Sequence, residues 1–116
     1  LVGIVRSERV TGDVLAGALA AYVMAGLAFA VVYGVIENVR PGAFETARAI
    51  PASFPDLVYF SFVTLLTIGF GDVTPLAPLA RALVLFEGLF GVIFTTVVMA
   101  SLVAGYLQHR ERDTPE

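Results

Sequence analysis

Val14 to Ile36 is a run of 23 residues with no formal charge, bracketed by Asp13 and Glu37. At about 1.5 Å of helical rise per residue it spans roughly 34 Å, enough to cross a hydrocarbon core of about 30 Å. A second uncharged run of 20 residues, Gly88 to Leu107, meets the same requirement. With 58% hydrophobic and 15% charged residues in 116, the chain is too apolar for an ordinary soluble domain of its size. The sequence therefore predicts an all-α membrane protein built on two transmembrane helices.

Between the spans lies a segment too short to cross. Ser53-Phe54-Pro55-Asp56 reads as a helix start, with Ser53 as N-cap, Pro55 in the first turn and Asp56 placed for a capping box. The helix is expected to end near Leu66, after roughly 17 Å, about half a membrane. It leads into Thr67-Ile68-Gly69-Phe70-Gly71-Asp72. Irregular Gly-rich backbone cannot face lipid, because its unpaired polar groups would be too costly there. It must be buried in protein or line a water-filled path. Glycine at Gly69 and Gly71 allows alternate residues to take angles that turn successive carbonyls to one side. Neutral carbonyl dipoles, stacked in several weak sites, suit a dehydrated monovalent cation better than carboxylates do. The carbonyl end of the half-helix would add a partial negative charge near the membrane centre.

TIGFGD at positions 67 to 72 resembles the selectivity filter of potassium channels, whose usual form is T-[VI]-G-[YF]-G-D. The coordination scheme that follows is the known one for such filters. The order helix, loop, half-helix, filter, helix resembles the two-helix pore domain of tetrameric potassium channels over roughly Val14 to Leu107. The resemblance divides 1–116, read as one pore domain, into an interfacial segment 1–12, an outer helix 13–37, a turret 38–52, a pore helix 53–66, a filter 67–72, an inner pore-lining helix 76–107 and a cytoplasmic tail 108–116. The N-terminal segment reads either as an interfacial helix, as the end of a longer connection, or as a frayed terminus. The turret is read as a surface loop with one helical turn around Phe44 to Ala49.

The resemblance implies that Thr67, Ile68, Gly69 and Phe70 donate carbonyls to K+, with the Thr67 hydroxyl completing the innermost site. Gly71 and Asp72 would form the outer mouth. Tyr59 either hydrogen-bonds Asp72 and braces the filter or simply packs. Some bacterial members carry a Glu in the half-helix beside the filter Asp. Val63 stands at that position here, which removes the basis for slow filter closure that depends on such a pair. Gly91 falls where the family often has a hinge glycine; it serves either as a hinge or to admit close packing. Val92, Thr95, Met99 and Val103 recur at helical spacing and are read as lining a cavity, with Thr95 or Thr96 its polar element and Leu107 or Tyr106 its narrow end.

Glu87 is the one ionisable residue within the second span, an expensive placement in a membrane. It is read as a structural brace, accepting from Ser61 or Thr64 or pairing with Arg81, in preference to an ion site. Gly26, Ala30 and Gly34 form a small-residue stripe suited to close helix packing. Tyr22 and Tyr33 are read as aromatics near the membrane interfaces, Tyr22 lying rather deep for that place.

The function expected is a potassium-selective pore working as a homotetramer in membrane lipid, with K+ the permeant ion and no organic cofactor. One chain supplies only a quarter of an oxygen cage. The alternatives are a non-selective cation channel of the same fold and, in a different class, a non-conducting membrane anchor or assembly module. Sodium and calcium channels usually carry acidic residues within the filter, whereas Asp72 follows it. No nucleophile–base pair or metal-ligand spacing supports an enzyme. All seven basic residues are scattered arginines, which does not suggest nucleic acid. Cysteine is absent, so disulfide and thiol chemistry are excluded.

Four arginines (6, 9, 110, 112) lie on the side read as cytoplasmic and three (40, 48, 81) on the other. The family resemblance places both termini in the cytoplasm and the chain in the cell membrane. Leu1 in place of Met points to a piece of a longer chain, to which upstream helices or a regulatory domain would belong. The Ala/Val/Arg-rich composition points to a bacterial source.

Overall fold

The computed structural model describes residues 2–48 and 50–113. The elements run α1 (Val2–Val39), β1 (Phe44–Thr46), α2 (Phe54–Leu65), β2 (Val73–Pro75) and α3 (Pro78–Asp113). Gly12–Val39 and Pro78–Gln108 are long and apolar enough to cross a membrane, by length and composition. α2 has 12 residues, about 18 Å, and is not.

α2 starts as its sequence dictates. The Ser53 hydroxyl accepts from the Asp56 backbone N–H at 3.4 Å, and the Asp56 carboxylate accepts from the Ser53 backbone N–H at 3.0 Å. This reciprocal pair satisfies two amides that the first turn leaves free. The Asp56 carboxyl is held below the usual carboxylate range by the Ser53 backbone N–H and then by its hydroxyl.

α1 departs from the expected boundaries. It is continuous from Val2, so the 1–12 segment is no separate element. The stretch contains no Pro and its only glycines are Gly3 and Gly12, and nothing in it stops a helix. The side chains of residues 1–11 lie outside the described residues. α3 likewise continues to Asp113 in place of ending at Leu107, because the polar tail keeps good helix formers such as Gln108, Arg110 and Glu111.

The expected helical turn around Phe44 is also replaced; Ala49, its far end, lies outside the described residues. Phe44–Thr46 pairs antiparallel with Val73–Pro75, Phe44 opposite Pro75 and Thr46 opposite Val73. Phe44 and Thr46 point inward and Glu45 outward, the period-2 pattern of a strand. This two-stranded sheet (the hairpin, for short, although α2 lies between its strands) joins the segment before α2 to the one after residues 66–72.

The core lies at this hairpin end. Tyr33 and Ile36 of α1, Phe44 of β1, Leu57 and Phe60 of α2, Val73 of β2 and Ala80 of α3 are buried together. Rings of Tyr33, Phe44 and Phe60 meet pairwise at 5.3 to 5.6 Å between centroids. Tilted and edge-on pairs at such distances add about 0.5–1.5 kcal/mol each beyond area burial.

The small-residue stripe of α1 receives α2. Ala30 is fully buried, and a Cβ on Gly26 would fall 2.7 Å from the Phe62 ring. The Phe54 ring sits by Gly34.

Candidate functional site

The site is built on the C-terminal end of α2. The Leu65 carbonyl accepts from the Tyr22 hydroxyl of α1 at 2.7 Å. On the other side it approaches Gly91 of α3 so closely that a Cβ there would lie 2.5 Å from the oxygen. Tyr22 and Gly91 each lie within about one turn of the middle of their spans, Gly12–Val39 and Pro78–Gln108. α2 therefore descends from the hairpin end and stops at mid-span, held by one helix on each side. The Tyr22 ring also stacks on Phe94 of α3 at 5.3 Å. Tyr22 is thus a mid-span clamp and not an interfacial aromatic. Its sequence signal was its depth, eight residues inside an uncharged run.

From that end the chain turns back. Leu66 N–H donates to Phe62 O at 2.9 Å and Thr67 N–H to Thr64 O at 3.0 Å. Val63 O accepts from Ile68 N–H at 2.9 Å and from Gly69 N–H at 3.4 Å. Val63 is buried, and its contribution here is a backbone carbonyl. Residues 66–72 then climb back to the hairpin, where Asp72 O accepts from Ala47 N–H at 2.8 Å. A helix down and an irregular strand back, both on the same side of mid-span, make a re-entrant loop.

Left-handed backbone recurs at every second residue: Thr67 (φ 60), Gly69 (φ 62) and Gly71 (φ 81). At Gly69 and Gly71 the missing Cβ makes this inexpensive. Thr67 is the unexpected member, because a β-branched residue with positive φ is a strained outlier. Such strain costs about 1–2 kcal/mol. The bonds of Thr67 and Ile68 N–H to the last turn of α2 hold it in place. All six residues of 67–72 are exposed in the single chain.

Tyr59 and Asp72 lie on the same side of the loop, with the Asp72 carboxylate acting on the Tyr59 phenol. The two residues also line one cavity of about 290 Å³ with Thr46, Arg48 and Asp56.

Glu87 is fully buried. Its Oε1 lies 2.7 Å from Ser61 Oγ of α2, and its Oε2 accepts from the Tyr33 hydroxyl of α1. Of the expected partners Ser61 is present, while Thr64 and the exposed Arg81 are not. Tyr33, read from sequence as interfacial, is fully buried in the core. A tyrosine and a glutamate 54 positions apart leave no local pattern from which this pairing could be read.

Gly91 is buried against Leu65, the close-packing alternative. It differs in burial from the other residues grouped with it. Val92, Thr95, Met99, Val103 and Leu107 are all exposed, on the side of α3 left free in the single chain. The Thr96 hydroxyl back-bonds to Val92 O at 2.7 Å. Glu37 was missed from sequence. It ends α1 and accepts from the backbone N–H groups of Gly42 and Phe44, both at 3.0 Å, fixing the turn into β1. A Glu just before a Pro-Gly turn is the signal that could have found it.

Residues 17–107 match a protein-family model described as ion channel. The chain is 36% identical over 89 residues to an inward rectifier potassium channel, Kirbac3.1, of Paramagnetospirillum magnetotacticum, an alignment covering 73% of this chain and 27% of that protein. It is 32% identical over 93 residues to two pore potassium channel c of Oryza sativa subsp. japonica, covering 80% of this chain and 19% of that one. The chain thus spans about a quarter or less of the length of these relatives.

Proposed function

This chain belongs to the ion channel family, and from that membership we propose that it forms the pore of a potassium-selective channel. K+ passes down its electrochemical gradient through stacked backbone carbonyls, and no bond chemistry is required. The single observation that carries the reading is the alternation of left-handed backbone at Thr67, Gly69 and Gly71, at the end of a half-length helix that stops at mid-span. The similarity to two potassium channels supports the choice of ion.

In this reading the carbonyls of Thr67, Ile68, Gly69 and Phe70, with the Thr67 hydroxyl, replace the hydration shell of K+. Gly71 and Asp72 form the mouth, and Tyr59 steadies it through Asp72. The Val63 carbonyl anchors the start of the filter. Four chains surround one axis, since one chain contributes a quarter of each cage. The free face of α3, with Val92, Thr95, Met99, Val103 and Leu107, lines the path beyond the filter. The assembly sits in the cell membrane with both chain ends in the cytoplasm.

The test is the reversal potential of the purified protein in planar bilayers, with K+ on one side and Na+ on the other. A value near the potassium equilibrium potential, with block by Ba2+, is expected. A value near zero would replace this reading by a non-selective pore.

A further inference from the structure

Three close oxygen–oxygen contacts run in series through the bundle: Gly26 O to Ser61 Oγ at 2.6 Å, Ser61 Oγ to Glu87 Oε1 at 2.7 Å, and Glu87 Oε2 to the Tyr33 hydroxyl. They join α1, α2 and α3. Each contact needs one proton between its two oxygens. A peptide carbonyl carries none, an ionised carboxylate carries none, and each hydroxyl carries one. With Glu87 ionised there are two protons for three contacts. Either Ser61 Oγ would then press its lone pairs against Gly26 O, or it would press them against Oε1. The Leu83 carbonyl, 3.5 Å from the Tyr33 hydroxyl, is a further acceptor and supplies no proton.

One added proton closes the series. Glu87 Oε1–H donates to Ser61 Oγ, Ser61 Oγ–H donates to Gly26 O, and Tyr33 O–H donates to Oε2. We infer that Glu87 is held as a neutral carboxylic acid, the proton donor at the head of a chain that ties α2 to both spanning helices. Glu87 is thereby a positioning residue for α2, and through α2 for the segment that follows it.

The surroundings agree. Glu87 lies within an apolar span, about a third of the way along Pro78–Gln108, and is fully buried there, where an unpaired charge is expensive and a satisfied neutral acid is not. The titratable group facing it from α1 is Tyr33. From α2 it is met by the Ser61 hydroxyl, which keeps its proton. Glu37 provides the contrast: its two oxygens accept from two backbone amides, an arrangement that needs no carboxyl proton.

The decisive measurement is infrared spectroscopy of the full chain in lipid bilayers at pH 7, with the side-chain carboxyls of its six glutamates isotopically labelled. A carbonyl band of a protonated carboxylic acid should appear, shift on labelling and vanish in Glu87→Gln. Ser61→Ala should move that band to higher frequency, because the acid loses its acceptor. Carboxylate bands alone, or an acid band that survives Glu87→Gln, would overturn the inference. A stability comparison gives an independent reading. Gln reproduces the donor and the acceptor of the neutral acid, so Glu87→Gln should keep the midpoint of thermal unfolding within a few degrees, while Glu87→Ala lowers it. Raising the pH should destabilise the wild-type chain and leave Glu87→Gln flat. Equal loss in both variants, with no pH difference, would also overturn it. None of these readouts depends on which ion the pore conducts.

Discussion

At the residue scale, Gly91 and Tyr22 hold the same carbonyl from opposite sides, and their substitution should have different consequences. In Gly91→Ala the new Cβ meets Leu65 O at 2.5 Å, a backbone atom that cannot swing aside. Overpacking of this kind costs about 1–3 kcal/mol, which should show as a lower midpoint in thermal unfolding followed by circular dichroism. A hinge alone would make the same change neutral or stabilising, since Ala is the better helix former. Tyr22→Phe keeps the ring stack on Phe94 and removes one hydrogen bond. A loss of about 0.5–1.5 kcal/mol is expected in the same measurement. Tyr59→Phe should leave stability nearly unchanged, because the side chain is exposed, but remove the phenol that the proposed pore sets beside Asp72. Its effect should be a less stable conducting state, measured as shortened open times in single-channel records. Tyr59 does lie beside Asp72, lining one cavity with it, a neighbourhood that the spacing of the family motif made legible. Tyr22 and Tyr33 were misplaced for one physical reason: periodicity shows which face of a helix a residue occupies, not which distant backbone or carboxyl atom it meets.

At the element scale, α2 is the part most legible in the sequence. Its cap, its first-turn proline and its end near Leu66 are all local signals, and each is found where the residues predicted it. Ser53→Ala removes the side-chain half of the capping box and should cost about 1 kcal/mol. The Asp56 half adds a pH dependence. Its pKa is lowered in the folded chain by the Ser53 backbone N–H and hydroxyl. The contribution is therefore fully present above the ordinary Asp value of about 3.9 and is lost as pH falls through the lowered folded value. An acid titration of thermal stability should show that step in the wild-type chain and lose it in Asp56→Asn. The hairpin was not legible. Strands of three residues are too short to display alternation, and their pairing depends on where the return segment after the filter ends up. The ends of α1 and α3 were misjudged because charge patterning marks where a bilayer would begin, whereas a helix continues until something stops it.

At the scale of the whole molecule, the chain is a rod of 65 × 21 × 18 Å with its core gathered at one end. The side of α3 bearing Val92, Met99, Val103 and Leu107 is open, and so are Ile68 and Phe70 of the segment 66–72. A soluble rod with so much bare apolar surface would aggregate; one that spans a membrane as a quarter of an assembly would cover it with lipid and sister chains. Light scattering of the detergent-solubilised protein should give a protein mass of four chains. A stable single-chain particle that still carried selective current would contradict the fourfold arrangement.

The segment 66–72 is fastened at its two ends by backbone bonds, to Val63 O at one and to Ala47 N–H at the other. Among the described residues no backbone-to-backbone bond is made by the N–H of Phe70 or Gly71. It is a cord pegged at both ends and slack in the middle. Its fluctuations should therefore be largest at the centre of the free stretch, and amide exchange should run fastest at Phe70 and Gly71 and slowest at Ile68. In the proposed pore, whatever stills that stretch would come from outside the single chain, from the ions or from the three copies beside it. Occupancy and rigidity would then rise and fall together.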